Sequence, residues 1–325
     1  MKEECLVSVL CTAFNHEKYI RQTLQSFVDQ QTDFSFEVLV NDDCSTDGTA
    51  AIIREFEEKY PAIVHGIYQE KNRFSTGADI YTEVLYPAAR GKYFALCEGD
   101  DYWTDPTKLA RQTAFMEAHP EYSACVHNTM LNYCAGDKAD RPLLTRFGDG
   151  DVSIANIARG VSYSYHTSSL LGRRDIMENP PEFYFVGRRY GFLDHPNALW
   201  LIFNGPIHYI DRCMSVYRID SGRSAWSFGV DGQYGKLRRY TEGEREVLKA
   251  SLEYAPEEYR EVIDHEVLER DFELMYIEGR DIEQRSGPYR EILRAKPLTY
   301  RVNNFLKSYL PGLHRLYRSI RGYKE

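Results

Sequence analysis

Residues 92–106 (KYFALCEGDDYWTDP) constrain the fold more than any other stretch of the chain. An apolar run short enough for a buried strand is followed at once by Glu98, Asp100 and Asp101, so hard oxygen ligands gather at the strand's C-terminal end. Open α/β sheets bind their ligands there. Carboxylates this close repel one another and stay ionised at neutral pH only with a cation or hydrogen-bond donors among them. Mg²⁺ or Mn²⁺, shared with the phosphate oxygens of a substrate, is the usual guest. A solvated acidic turn, bent at Gly99, is the plainer alternative.

The chain before this stretch repeats one unit. Residues 6–11 (LVSVLC) read as a short buried strand entering the loop 12–16, and from 17 to 28 the apolar Tyr19, Ile20, Leu24, Phe27 and Val28 recur at helical spacing. Residues 36–40 give a second strand, the turn 41–49 (NDDCSTDGT) supplies helix-capping residues, and a helix with Ile52, Ile53 and Phe56 inward follows. A third strand at 64–68 and a helix over 78–89 lead back to the opening stretch. Strand–helix alternation predicts an α/β fold with a parallel, doubly wound sheet. In such a sheet the turns after strands share one edge, so Thr12 to Asn15, Asp42 with Asp43, and Glu98 to Asp101 are expected to meet in one crevice.

Further on, residues 108–119 fit an amphipathic helix stopped by Pro120, residues 122–128 a strand, and the polar stretch 133–151 a long loop of the kind that serves as a lid or wall. Residues 160–171 alternate apolar and polar before Arg173 and Arg174. Asp194 precedes a strongly apolar helix containing Pro196, where it would also serve as N-cap. Residues 207–211 and 214–218 read as a closing strand pair, and 221–235, rich in Gly and Ser, as either a loop that orders over a ligand or a plain linker.

Three blocks carry a resemblance: VSV at 7–9 with Phe14 and Asn15, NDDCSTDGT at 41–49, and LCEGDDYW at 96–103 followed by Lys108 and Leu109. In order and spacing they resemble family 2 glycosyltransferases of the GT-A fold, over roughly residues 6–220. The resemblance implies a nucleotide-sugar donor at the sheet edge, a divalent metal on its diphosphate, and inversion at the anomeric carbon. It implies that Asp43 pairs with the base, usually uracil, beside Thr12, Phe14, Asn15 and Asp42. A carboxylate-to-imide bond is worth roughly 1.5–3 kcal/mol. Glu98-Gly99-Asp100 stands for the family's D-x-D element, with Glu98 toward the ribose, Asp100 on the metal, and Asp101 a second ligand or a partner that orients Asp100. The segment with His166 and Thr167 would pass beneath the donor sugar, and Asp194 would be the general base on the acceptor hydroxyl, on the face opposite the leaving diphosphate. Related sequences often carry a histidine soon after a Tyr-Arg pair; here Asp220 follows Arg218, leaving Arg218 and Arg223 as partners for phosphate. Trp103, Asp220 and Arg223 complete the expected lining.

The chain has 325 residues, a net charge of −9, and seven scattered cysteines with no C-x-x-C pair. Nucleic-acid binding, a zinc site and a disulfide framework are therefore not expected. No apolar run approaches the ~20 residues of a membrane span, and the N-terminus does not read as a signal peptide. The expected organisation is a catalytic domain over 1–230 and a helical extension over 231–325. Between Glu242 and Glu283, fifteen acidic residues face five basic ones, which suggests a solvated helical appendage. From 301 to 325 the sign reverses: six Lys or Arg against one Glu, interleaved with apolar residues. Such a basic amphipathic tail either adsorbs to an anionic membrane or packs on the domain. A cytoplasmic enzyme, on the inner face of the cell membrane if the tail adsorbs, and a saccharide or lipid-linked saccharide acceptor follow as expectations. A nucleotidyltransferase would want a Gly-rich basic loop after the first strand, which Thr12-Ala13-Phe14-Asn15 is not. A catalytically silent scaffold of the same fold remains the other reading.

Overall fold

The computed structural model describes residues 5–134, 138–145, 148–219, 233–310 and 312–313. Its first half is built of β1 (Val7–Ala13), α1 (Ile20–Val28), β2 (Phe36–Asp42), α2 (Thr49–Lys59), β3 (Val64–Tyr68), the short α3 (Tyr86–Ala88), β4 (Tyr93–Leu96), β5 (Tyr102–Trp103) and α4 (Lys108–Ala118). Then follow β6 (Ala124–Tyr133), β7 (Arg141–Pro142), β8 (Gly150–Asp151), α5 (Ile154–Arg159), β9 (Leu171–Arg173), α6 (Tyr184–Arg188), α7 (Asp194–Phe203) and β10 (Ile207–Ile219). The sheet order is β3-β2-β1-β4-β9-β6-β10-β5, with β7 added to β6 and β8 to β10. β1 to β4 are mutually parallel, as are β6 and β10; β9 and β5 run antiparallel to their neighbours.

Alternation along the central strands divides their side chains between two cores. Val9 and Cys11 of β1, Val38 and Val40 of β2, and Tyr93 and Ala95 of β4 pack with Ile20, Leu24, Phe27, Ile53 and Phe56 from α1 and α2. Leu10, Leu39, Phe94 and Leu96 face the other side, with Leu85, Leu199 and Leu201. Coverage on both faces is why these strands are apolar runs rather than alternating ones.

Three local expectations change. The helix foreseen over 78–89 is a π-helical turn, Tyr81–Leu85, running into α3. Residues 160–171 form two 3₁₀ turns, Val161–Tyr163 and Thr167–Ser169, before β9. The strand pair at 207–218 is one strand, β10, whose register against β6 jumps between Ile210 and Cys213 and again before Ser215. Extra residues accommodated as a bulge interrupt the apolar pattern and so imitate a break between strands.

The acidic stretch 242–283 is not a solvated appendage. α8 (Gln233–Ser251) and α9 (Glu257–Ile277) place Val247, Leu248 and Ile263, all at 0% exposure, in the same core as Leu199 and Leu201 of α7. The carboxylates occupy the remaining faces, so charge counting alone misses the apolar stripe. α9 also buries Phe272 against Ile292 and Leu293 of α10 (Tyr289–Ala295), and α11 (Leu298–Tyr309) follows.

Candidate active site

The three turns do meet at one edge of the sheet. Gly99 donates its N–H to Thr12 O (2.9 Å), and Asp43 donates its own to Ala13 O (2.9 Å). The loop after β1 is laced to the loop after β2: Asn15, held at φ 54°, accepts from Thr46 N at 2.7 Å, and its N–H reaches Ser45 Oγ at 2.9 Å. Phe14 is half-buried in that loop. Asp42 ends β2 with Oδ2 accepting from Ser45 N (3.3 Å) and Oδ1 buried without a hydrogen-bond partner among the described residues. Asp43 accepts from Arg73 N (2.8 Å) on one oxygen and Phe74 N (3.0 Å) on the other, so it organises the turn beyond β3. Each of its oxygens keeps a second lone pair.

Glu98, Asp100 and Asp101 bring one carboxylate oxygen each within 4.8 Å of the others. Thr23 of α1 pins the loop from below, its hydroxyl donating to Asp101 O (2.5 Å) and Gly99 O (3.0 Å). Asp101 is 1% exposed; Oδ1 accepts from Arg218 N (2.9 Å), and Oδ2 has no hydrogen-bond partner among the described residues. Burial, then the charges of Asp100 and Glu98, drives Asp101 far above the usual carboxylate range. Glu98 is pushed up to about 8 by burial, then by Asp100 and Asp194. Crowded hard oxygens, one of them orphaned in the interior, are a donor set that fits a divalent cation.

Several expected residues do other work. Arg218 lies between the rings of Tyr19 and Tyr102, 4.9 and 4.4 Å from their centroids, at 6% exposure. It donates to Asp100 O and to Gln22 Oε1, so its guanidinium clamps the acidic loop rather than facing phosphate. Trp103 is core, not lining: its ring packs on Phe27 (4.6 Å) and under Lys108 Nζ (4.1 Å), and its indole N–H donates to Ser168 O. Asp220 and Arg223 lie outside the described residues.

His166 does reach the cluster. Its ring stacks on Tyr217 at 4.1 Å, and its Nδ1 stands 3.8 Å from Asp101 Oδ2. Nδ1 also accepts from Ser168 N (3.2 Å), which leaves the ring proton on Nε2, and burial lowers this histidine to about 4, so the ring is neutral. Thr167 opens the 3₁₀ turn that follows.

Asp194 is the first residue of α7, one place inside the cap position that Leu193 holds, and its Oδ1 accepts from His195 N at 3.0 Å. Burial raises its pKa. Its charge is felt by Glu98 on one side and by Tyr165, Tyr240 and Glu244 on the other, so the start of α7 lies between the acidic loop and α8. Three neighbours were missed in the sequence. Tyr81 brings its hydroxyl beside Thr12 and Glu98 from the π turn, a device frequent at functional sites. His16 packs so closely on Gly99 that a Cβ there would lie 2.8 Å from its Nδ1. Tyr240 comes from a helix that the charge pattern had assigned to solvent.

The chain has relatives among known proteins. Residues 8–179 match the profile of Glycosyl transferase family 2. The chain belongs to this family. Over 111 residues it is 37% identical to the putative teichuronic acid biosynthesis glycosyltransferase TuaG of Bacillus subtilis, a match covering 34% of this chain and 42% of TuaG. The chain spans less than half the length of the curated relatives it matches. Its fold is that of the Staphylococcus aureus TarS fragment 1–349 solved with UDP-GlcNAc (TM-score 0.58, 19% identity, 93% of this chain and 78% of that one). It is equally that of the mannosyltransferase PcManGT of Pyrobaculum calidifontis, solved with GDP-Man and Mn²⁺ (TM-score 0.57, 16% identity, 99% and 89%). The mostly parallel, helix-flanked sheet of this family 2 member is thus the GT-A fold expected from its sequence.

Proposed function

We propose that this family 2 protein is a metal-dependent inverting glycosyltransferase of cell-surface polysaccharide synthesis. It would move a sugar from a nucleotide-sugar donor, UDP-linked in the first instance, to a glycan or lipid-linked acceptor. The observation that carries the reading is the carboxylate cluster at the sheet edge, with Asp194 near enough for its charge to raise Glu98. Asp100 and Asp101 would hold Mg²⁺ or Mn²⁺, which when bound offsets the charge of the departing diphosphate. Glu98 would accept from the ribose and Asp43 from the imide of the base, while Thr12, Phe14, Asn15 and Asp42 shape the base side. Neutral His166 would offer its Nε2–H to an anionic or hydroxyl oxygen, with Thr167 beside it. Asp194 would take the proton from the attacking hydroxyl; its raised pKa makes it a better base once ionised.

Calorimetric titration with UDP, GDP and dTDP, with and without Mn²⁺, tests this. Tight binding of UDP that requires Mn²⁺ is expected. Preference for GDP or dTDP would overturn the assignment of Asp43 to uracil, and binding of none would favour a silent scaffold.

The acceptor class finds support in the teichuronic acid biosynthesis to which TuaG is assigned and in α11. Leu298, Val302, Phe305 and Tyr309 recur every three or four residues and are 43–69% exposed, with Leu313 continuing the row. The opposite side is fixed to the body by Asn304, buried against Gln284, and by Lys307 paired with Asp281 at 2.8 Å. With Arg301 and the basic residues beyond, this face suits the anionic inner surface of a cytoplasmic membrane; residues 311 and 314–325 lie outside the described residues. No helix among the described residues is long and apolar enough to cross a membrane. The full chain should float with vesicles containing phosphatidylglycerol but not with phosphatidylcholine alone, and a Phe305→Ser, Tyr309→Ser variant should stay behind. Equal flotation of the variant would end the idea.

A further inference from the structure

We infer that α8 is the element that positions the Asp194 carboxylate, through Gly243, Tyr240 and Glu244. The inference rests on Asp194 being the base. The segment from Arg189 to Leu193, between α6 and α7, has no regular structure of its own and bends at Gly191 (φ 92°). Left to itself, such a segment would present the carboxylate loosely, whereas a reacting group has to be held to within about half an ångström.

α8 holds the segment at successive points. Arg239 donates to Arg189 O at 2.7 Å. Gly243 touches Tyr190 so closely that a Cβ would lie 2.6 Å from that residue's Cβ and Cγ and 2.8 Å from Phe192 Cε1. The Tyr240 ring packs on Phe192 at 5.1 Å. On the other side of Asp194, His195 is 1% exposed, with Nδ1 3.9 Å from Glu244 Oε1. Glu244 accepts from the Tyr240 hydroxyl and pairs through Oε2 with Arg270 Nε of α9 at 2.9 Å; Arg270 in turn donates to Arg159 O at the end of α5. Burial and the Arg270 charge hold His195 neutral, lowered to about 3, so Asp194 has no cation on the neighbouring residue. The residues flanking Asp194 on both sides thus lie against one helix, with Ile157 of α5 also beside the His195 ring. Gly243, Tyr240 and Glu244 are positioning residues, and an alanine at 243 would press on the near end of Tyr190, which cannot swing away.

The test uses the full chain with Mn²⁺ and reads UDP affinity by calorimetry and UDP release from UDP-GlcNAc and UDP-Glc, water standing in for the acceptor. Gly243→Ala should slow release at least tenfold with UDP affinity within about twofold, and Gly243→Ala combined with Tyr190→Gly should regain most of the rate. Tyr240→Ala should show the same split and Tyr240→Phe should recover, which decides the matter if Gly243→Ala does not fold. If water reacts too slowly to give a rate, amide exchange decides: Gly243→Ala should raise exchange across 189–195 and leave 96–103 unchanged. Full activity or unchanged exchange in the alanine variants, or rate and affinity falling together, overturns the inference. An Asp194→Asn protein as fast as the wild type would instead show that the base is misassigned, and the inference goes with it.

Discussion

Asp194→Asn is expected to lower turnover by about 10²–10⁴-fold while leaving Mn²⁺-dependent UDP binding within about twofold. The substitution is nearly isosteric. The amide oxygen can still accept from His195 N, the bond that Oδ1 makes at the start of α7, so the helix keeps its first turn. What disappears is basicity. Asp194 is near enough for its charge to raise Glu98 but is not part of the 4.8 Å cluster of Glu98, Asp100 and Asp101, so metal and diphosphate should bind as before. Relief of one negative charge near Glu98 would if anything ease donor binding. Single-turnover kinetics with the donor selected by calorimetry separates the two quantities. Loss of UDP affinity in step with rate would mean that Asp194 holds the donor, and an unchanged rate would remove it from the chemistry.

The second large effect is at Asp100. In the wild type, Mn²⁺ should raise the unfolding temperature, because a ligand at about 100 times its Kd stabilises the folded state by about 2.7 kcal/mol. Asp100→Ala should abolish that increase and, with it, detectable UDP binding. The metal-free variant should be at least as stable as the metal-free wild type, since three crowded carboxylates, two of them raised by burial and mutual repulsion, lose one member. A site that destabilises its own apo form is the usual mark of groups kept for binding rather than folding. Thermal melts of both proteins with and without Mn²⁺ check this; a variant that keeps the Mn²⁺ increase would place the cation elsewhere.

What was legible in the sequence was whatever a strand or helix imposes on its neighbours along the chain. β1, β2 and β4 are largely apolar on both faces, and the turns after them carry Asn15, Asp42, Asp43 and Glu98 to Asp101, so their convergence followed from topology alone. Side-chain direction was not legible. Arg218 and Trp103 belong to the right segments yet turn into the protein, Arg218 because two tyrosine rings and the Asp100 carbonyl leave its charge better placed inside, Trp103 because Phe27 and Lys108 enclose it. Tyr81 was hidden by a π turn that reads as ordinary helix. The role of α8 was hidden by its charges: the three contacts that matter come from Gly243, Tyr240 and Glu244, and only the partners across space distinguish them from a solvated face.

One consequence of how β10 and α8 pack concerns where the protein can be divided. The family profile ends at residue 179, yet Arg218, which clasps the acidic loop, Asp194, and the α8 brace all lie beyond it. The portion that is recognisable by descent is therefore smaller than the portion that completes one crevice. On the proposed function, a fragment cut at the profile boundary would retain the side assigned to the nucleotide and forfeit the side assigned to the acceptor. On the same reading, a graft meant to exchange acceptor choice would have to carry α7, β10 and α8 together, because they pack around one side of the crevice.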